Sequence, residues 1–163
     1  MHSEQNSAIP ISSLYEVDFF AWTQQQAALL RDRHWNQIDL PNLIEEIESL
    51  GKQQRQELRN RLSILIGHLL KWEYQPERRS RSWLATIKIQ RLDTIELLEE
   101  NLSLQSYLEE ALGKAYRKAI ELAASEIDRS TNQFPTECPY GLAEILSDRS
   151  YPGEASELIN PAE

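Results

Sequence analysis

Apolar residues recur along this chain at intervals of three and four, the period of an α-helix with one buried face. Asp18 is a good N-cap, with Val17 and Trp22 placed as a hydrophobic staple around it. A first helix is expected from there to about Arg33, with Phe19, Trp22, Gln26, Leu29 and Leu30 on one side. Asp39 and Pro41 open a second. Its stripe of Leu43, Ile47, Leu50, Gln54, Leu58, Leu62, Leu65, Leu69 and Trp72 predicts a helix about 50 Å long. Gly51 is a possible kink in it, and Pro76 ends it.

Ser80 or Ser82 caps a third helix carrying Trp83, Leu84, Ile87, Ile95, Leu98 and Leu102, closed by Asn101. Ser103 opens a fourth, with Leu104, Leu108, Leu112, Ala115, Ala119 and Leu122 on one side and Tyr116, Ile120, Ala124 and Ile127 along a second edge. Its small residues allow a neighbouring helix to approach closely. A short helix over about Pro139–Leu146 follows a polar loop. No segment alternates with the period of a strand. The expected fold is all-α, an antiparallel bundle of four main helices plus a short C-terminal helix. A single domain over residues 12–151 is expected, between a flexible tail at 1–11 and a flexible acidic tail at 152–163.

Composition narrows the class. The 163 residues are enough to bury a core without disulfides or metal. The one cysteine, Cys138, cannot pair internally, which fits a reducing cytoplasm. Met1–Pro10 has neither the basic flank nor the apolar run of a secretory leader. The longest nearly apolar run, Ile64–Leu70, is far short of the ~20 residues of a membrane span. A cytoplasmic protein without membrane contact is the expectation.

Charge is unevenly placed within the net −9. Residues 1–50 hold two basic and eight acidic side chains, residues 51–91 ten and three, and residues 92–163 five and fifteen. The stretch 51–91 is thus basic inside an acidic protein, which suits either helix pairing across the bundle or an anionic partner.

Residues Glu45-Glu46-Ile47-Glu48-Ser49-Leu50-Gly51 resemble the signature of a bacterial family called domain of unknown function 29. The resemblance continues in His68-Leu69-Leu70-Lys71-Trp72, Tyr74-Gln75-Pro76, Arg78, Ser82-Trp83 and Thr86-Ile87. It is supported by Tyr15–Phe19 with Trp22, and by Phe134-Pro135 with Cys138-Pro139, and covers roughly residues 14–152. It implies an all-helical fold and no reaction, so no catalytic residues carry over.

Five sets of residues bear on chemistry. Arg91 falls within the apolar stripe of its helix and Glu46 at the edge of another, so a buried pair between Arg91 and Glu46, or Glu45, is expected. Glu45, Glu48 and His68 are ligand types on one helix, but the Glu-x-x-His step of helical di-iron sites is absent: Arg31 precedes His34 by three, and Leu65 precedes His68. No metal and no cofactor is implied. His68 shares a face with Arg61, Ile64 and Trp72, the place of a packed histidine. Cys138, between Pro135 and Pro139, reads as a packed loop residue.

The segment Lys71–Trp83 holds the strongest binding candidates: Lys71, Trp72, Tyr74, Arg78, Arg79, Arg81 and Trp83. Arginine beside aromatic side chains suits phosphate contact and base stacking. Trp72 and Trp83, however, lie in phase with the core. The function these features imply is a protein-interaction or regulatory module without catalysis, bound to a protein partner or to further copies of itself. A nucleic-acid-associated regulator working through Lys71–Trp83 is the alternative, and an enzyme whose site is silent in sequence the third.

Overall fold

In a computed structural model the described residues, 11–159, are mostly helical, with turns and irregular loops between the helices and no strand among them. Residues 1–10 of the N-terminal tail expected at 1–11, and 160–163 at the end of the acidic tail expected at 152–163, lie outside them, while Ile11 opens the first helix. The fold class is all-α. The helices are α1 (Ile11–Val17), α2 (Phe19–Arg31), α3 (Leu40–Tyr74), α4 (Arg81–Glu100), α5 (Leu108–Ile127) and α6 (Leu142–Leu146). Their contacts fall in two compact units, residues 1–53 and 54–163, with α3 contributing to each.

In the first unit Asp18 caps α2, its carboxylate accepting from the Ala21 amide at 2.9 Å. Arg33 ends that helix in the left-handed region (φ 59°), and the His34 amide reaches back to the Leu29 carbonyl. Such a closure is more often made by glycine. Asp39 stands just before α3, but its carboxylate does not bond to the helix's amides as a capping residue would. It accepts instead from the Trp22 indole at 3.1 Å and from the Asn42 side-chain Nδ2 at 2.8 Å. The Asp39 amide donates to the Gln26 side chain at 2.8 Å. These bonds run α2 antiparallel to the start of α3. The short α1, which periodicity does not announce, adds Tyr15 to the same corner. Its ring meets Phe19 and Trp22 edge-on, and its hydroxyl donates to Glu46 at 2.6 Å.

In the second unit the remainder of α3 packs with α4 and α5. The helix reverses after Tyr74 through a 3-10 turn at Pro76–Arg78, and Ser80 caps α4 by accepting from the Trp83 amide. Lys71 lies beside Trp83 and Arg61 beside Asp93, so α3 and α4 are antiparallel. Arg59 meets Tyr107 and Lys71 meets Glu126, so α5 runs parallel to α3. Helix α5 begins at Leu108 rather than Ser103. Residues Leu102–Tyr107 are 3-10, and the three-residue repeat of that helix sets Leu104 and Tyr107 on one side, where both are buried.

The core is the α3 stripe from Leu58 to Trp72 set against Leu84, Ile87, Leu97 and Leu98 of α4 and the alanine row of α5. Ala111, Ala115, Ala119 and Ala123 are wholly buried, and so are Leu58, Leu62, Leu65, Ile66 and Leu70 facing the same core. Each buried leucine or isoleucine contributes roughly 1.5–3 kcal/mol. The alanines let the backbones close in: a Cβ on Gly67 would stand 2.6 Å from Leu122 Cδ2 and 3.4 Å from the Ala119 carbonyl.

Two arginines fasten the C-terminal segment to this core. Arg91 is buried and donates from Nε to the Ile145 carbonyl at 2.8 Å and from Nη2 to the carbonyls of Glu144 and Ser150. Its guanidinium lies over the Tyr151 ring, 4.8 Å from the centre. The carboxylate partner expected from the sequence, Glu46 or Glu45, is therefore not what meets Arg91. Carbonyl dipoles and an aromatic face take its place. Arg79 repeats the device, donating to the Trp72 and Glu154 carbonyls over the Trp72 ring. Leu158 and Ile159 pack partly buried beyond it.

The closest helix approach gives the first prediction. Gly67→Val should lower the free energy of unfolding by about 1–3 kcal/mol, because its branches must displace Leu122 or the α5 backbone. Urea unfolding measures this. An unchanged midpoint would mean that α3 and α5 stand further apart.

Candidate functional site

Two places carry the residues that chemistry singles out, and they differ in kind. The first is the basic, tryptophan-rich turn. Lys71 is only 1% exposed, an unusual burial for an ammonium. It is ion-paired with Glu126, sits 4.6 Å from the centre of the Trp83 ring and 3.4 Å from His68 Nε2. The other ring nitrogen of His68 lies 2.9 Å from the Ile64 carbonyl. Burial holds the His68 pKa below the usual histidine value, and the Lys71 charge adds to the effect, against the Ile64 carbonyl and Glu126.

Trp72 is fully buried between Arg79 and Tyr151. Tyr74 is half-buried against Phe134, under the Arg129 guanidinium. Of the residues named from this segment, Lys71, Trp72, Tyr74, Arg79 and Trp83 are thus drawn into the fold. Arg78 and Arg81 stay exposed and form no ion pair among the described residues. Cys138 is half-buried, its thiol donating to the Tyr140 carbonyl, and burial pushes its pKa up, so it carries no reactive thiolate at neutral pH. Among the described residues no three His, Cys, Asp or Glu side chains converge as metal ligands would.

The second place lies in the first unit. The inner sides of α2 and the start of α3 form an open, largely apolar groove of about 430 Å³. Its walls are Phe19, Trp22, Ala27 and Leu30 from α2, and Leu43, Ile47 and Leu50 from α3. Ile47 and Leu50 are each 61% exposed, and Leu40 and Ile44 continue the apolar strip toward the start of α3. Thr23, Gln26, Glu46 and Gln53 supply the few polar groups. Glu46 is held by the Tyr15 hydroxyl, whose pKa that hydrogen bond pushes up to about 12. Glu45 and Glu48 are exposed on the same stretch of α3. Over residues 14–53 there are seven acidic and three basic side chains, so the groove stands in a negative field.

The structure therefore divides the acidic motif Glu45–Gly51. Glu46, Ile47 and Leu50 form the groove, whereas Glu45 and Glu48 lie outside its wall. Sequence periodicity assigned Ile47 and Leu50 to a buried stripe. What it omitted is that, among the described residues of that unit, no other helix lies over them, and each stays 61% exposed.

The model for the Domain of unknown function DUF29 matches residues 14–151. The chain belongs to the DUF29 family. No curated protein and no solved structure matches it. The residues that bear the DUF29 resemblance thus fall in both places, the turn at Lys71–Trp83 and the groove at Glu46–Leu50. No helix of the described residues is long and apolar enough to cross a membrane.

His68 gives the second prediction. Its folded-state pKa lies below 6.5, so the unfolded chain takes up the proton first as pH falls. Stability from keeping His68 neutral is complete above pH 6.5 and is lost as pH drops through 6.5 toward the lowered value. The urea midpoint of the native chain should fall between pH 7.5 and 5.5 by more than that of His68→Gln. Equal falls would place His68 in contact with solvent.

Proposed function

We propose that this DUF29 chain is a protein-interaction module of the cytoplasm, with no catalytic role, and that the α2–α3 groove takes the partner. The observation that carries this is the exposure of Ile47 and Leu50 at 61% each beside Phe19, Leu30 and Leu43. Single exposed apolar residues are ordinary, but a contiguous apolar strip on a preformed concave surface marks an interaction site. The groove has the form that accepts an amphipathic helix, with anchors spaced by three and four residues. The basic turn supports the competing nucleic-acid reading less well, because Lys71 and Arg79 are committed to the fold. Two remaining arginines would neutralise only about two phosphates, against the 6–10 contacts of salt-sensitive DNA binders.

Affinity capture with the full chain tests this. The native chain should retain a discrete protein, either another species or further copies of itself. A double variant, Ile47→Glu with Leu50→Glu, should lose it by at least about tenfold, or about 1.4 kcal/mol. Because both side chains are mostly exposed, helicity by circular dichroism should not change. Equal capture by both chains, or none by either, overturns the reading.

A further inference from the structure

A two-helix layer with an open apolar face needs a third helix to complete it, and the chain carries a surface of matching chemistry. The outer side of α4 leaves Ile89 53% and Leu92 67% exposed, with Ala85 exposed one turn before Ile89. Residues 85, 89 and 92 lie on one helical face. From Arg81 to Leu92 the helix contains no acidic side chain, and Arg81 and Lys88 are exposed beside the strip. With Arg78 in the preceding turn, this surface is apolar and basic where the groove is apolar and acidic. The lengths agree as well. Residues 81–92 span about 18 Å of helix, and the stretch of α2 that lines the groove, Phe19 to Leu30, also spans about 18 Å.

We infer that the occupant of the groove is the α4 face of a second copy of this chain. This rests on the reading of the groove as a docking site and names what docks there. Ile89 and Leu92 of one copy meet Ile47 and Leu50 of the other. Lys88 and Arg81 then face the field of Glu45, Glu46 and Glu48. The inferred assembly is a two-fold dimer, in which the contact is made twice with the roles exchanged. It also doubles the buried area toward the roughly 1,200–2,000 Å² of stable interfaces. Exposed arginines in a protein of net −9 acquire a use that requires no nucleic acid.

Light scattering on the full chain at micromolar concentration decides the matter. The native chain should have twice the monomer mass, and Leu92→Lys and Ile47→Lys should each return it to one. Lys88→Glu should weaken the dimer at least tenfold. Adding Glu45→Lys and Glu48→Lys to that variant should recover most of the loss, an effect that altered folding would not produce. Added salt should weaken the native dimer and the swapped one alike. A dimer unaffected by Leu92→Lys, a monomeric native chain, or assemblies that grow without limit with concentration each overturn the inference. If the native chain is monomeric yet captures another protein that the Ile47→Glu, Leu50→Glu variant loses, the groove is a docking site and only the second copy is excluded. If both fail, the groove does not dock a protein.

Discussion

The length of α3 is the constraint from which the other features follow. Its 35 residues make a helix of about 52 Å, while α4 and α5, at 20 residues each, reach about 30 Å. Helices of that length can clothe little more than half of α3. From Leu58 onward they cover its apolar stripe, and Leu58, Leu62, Leu65, Leu69 and Trp72 there are buried to the last atom or nearly so. Before Gln53 the helix has α2 along one side, and its apolar positions remain open. One continuous stripe in the sequence thus has two fates, decided by what lies alongside.

That explains how much could be read from the residues alone. Caps, stops and faces are local properties, and they were legible. Asp18 and Ser80 close helix starts through their own side chains, and Asn101 stands at the end of α4. Coverage is not local. Leu43, Ile47 and Leu50 have the spacing of core residues whether or not a neighbour arrives, so periodicity placed them inside. Helix lengths held the missing information, since two 20-residue helices lying side by side over one end cannot also cover the other end of a 35-residue stripe. The partner of Arg91 was hidden for a related reason. Sequence displays carboxylates as partners for a cation, but every residue offers a carbonyl, and those of Glu144, Ile145 and Ser150 became available only through the path of the C-terminal segment.

The basic turn shows how aromatic rings can do the work of counter-ions. Lys71, Arg79 and Arg91 each lie within about 5 Å of a Trp or Tyr ring centre, and Arg79 and Arg91 donate to backbone carbonyls as well. Lys71 also has a carboxylate, Glu126. The segment that looked most like a stacking surface for bases is therefore a set of cations stacked on the protein's own rings. Its density of Trp and Arg serves packing at the turn, and Arg78 and Arg81 are set apart by standing outside that packing.

The groove, for its part, is open because α2 is fastened by hydrogen bonds. The ties from Trp22 and Gln26 of α2 to Asp39 just before α3, and from Tyr15 of α1 to Glu46 of α3, are each directional. A helix held by its apolar stripe alone would roll onto Ile47 and Leu50, because that buries the most surface. Polar bonds with fixed geometry oppose this, since rolling would break them and leave the buried Trp22 indole unpaired at a cost of about 1–3 kcal/mol. Stacking of Phe19 on Trp22, 5.6 Å between ring centres, stiffens the same corner. The apolar wall is thereby preformed. A helix entering it has little of the receiving surface to order, and the free energy of burying its anchors is retained as affinity.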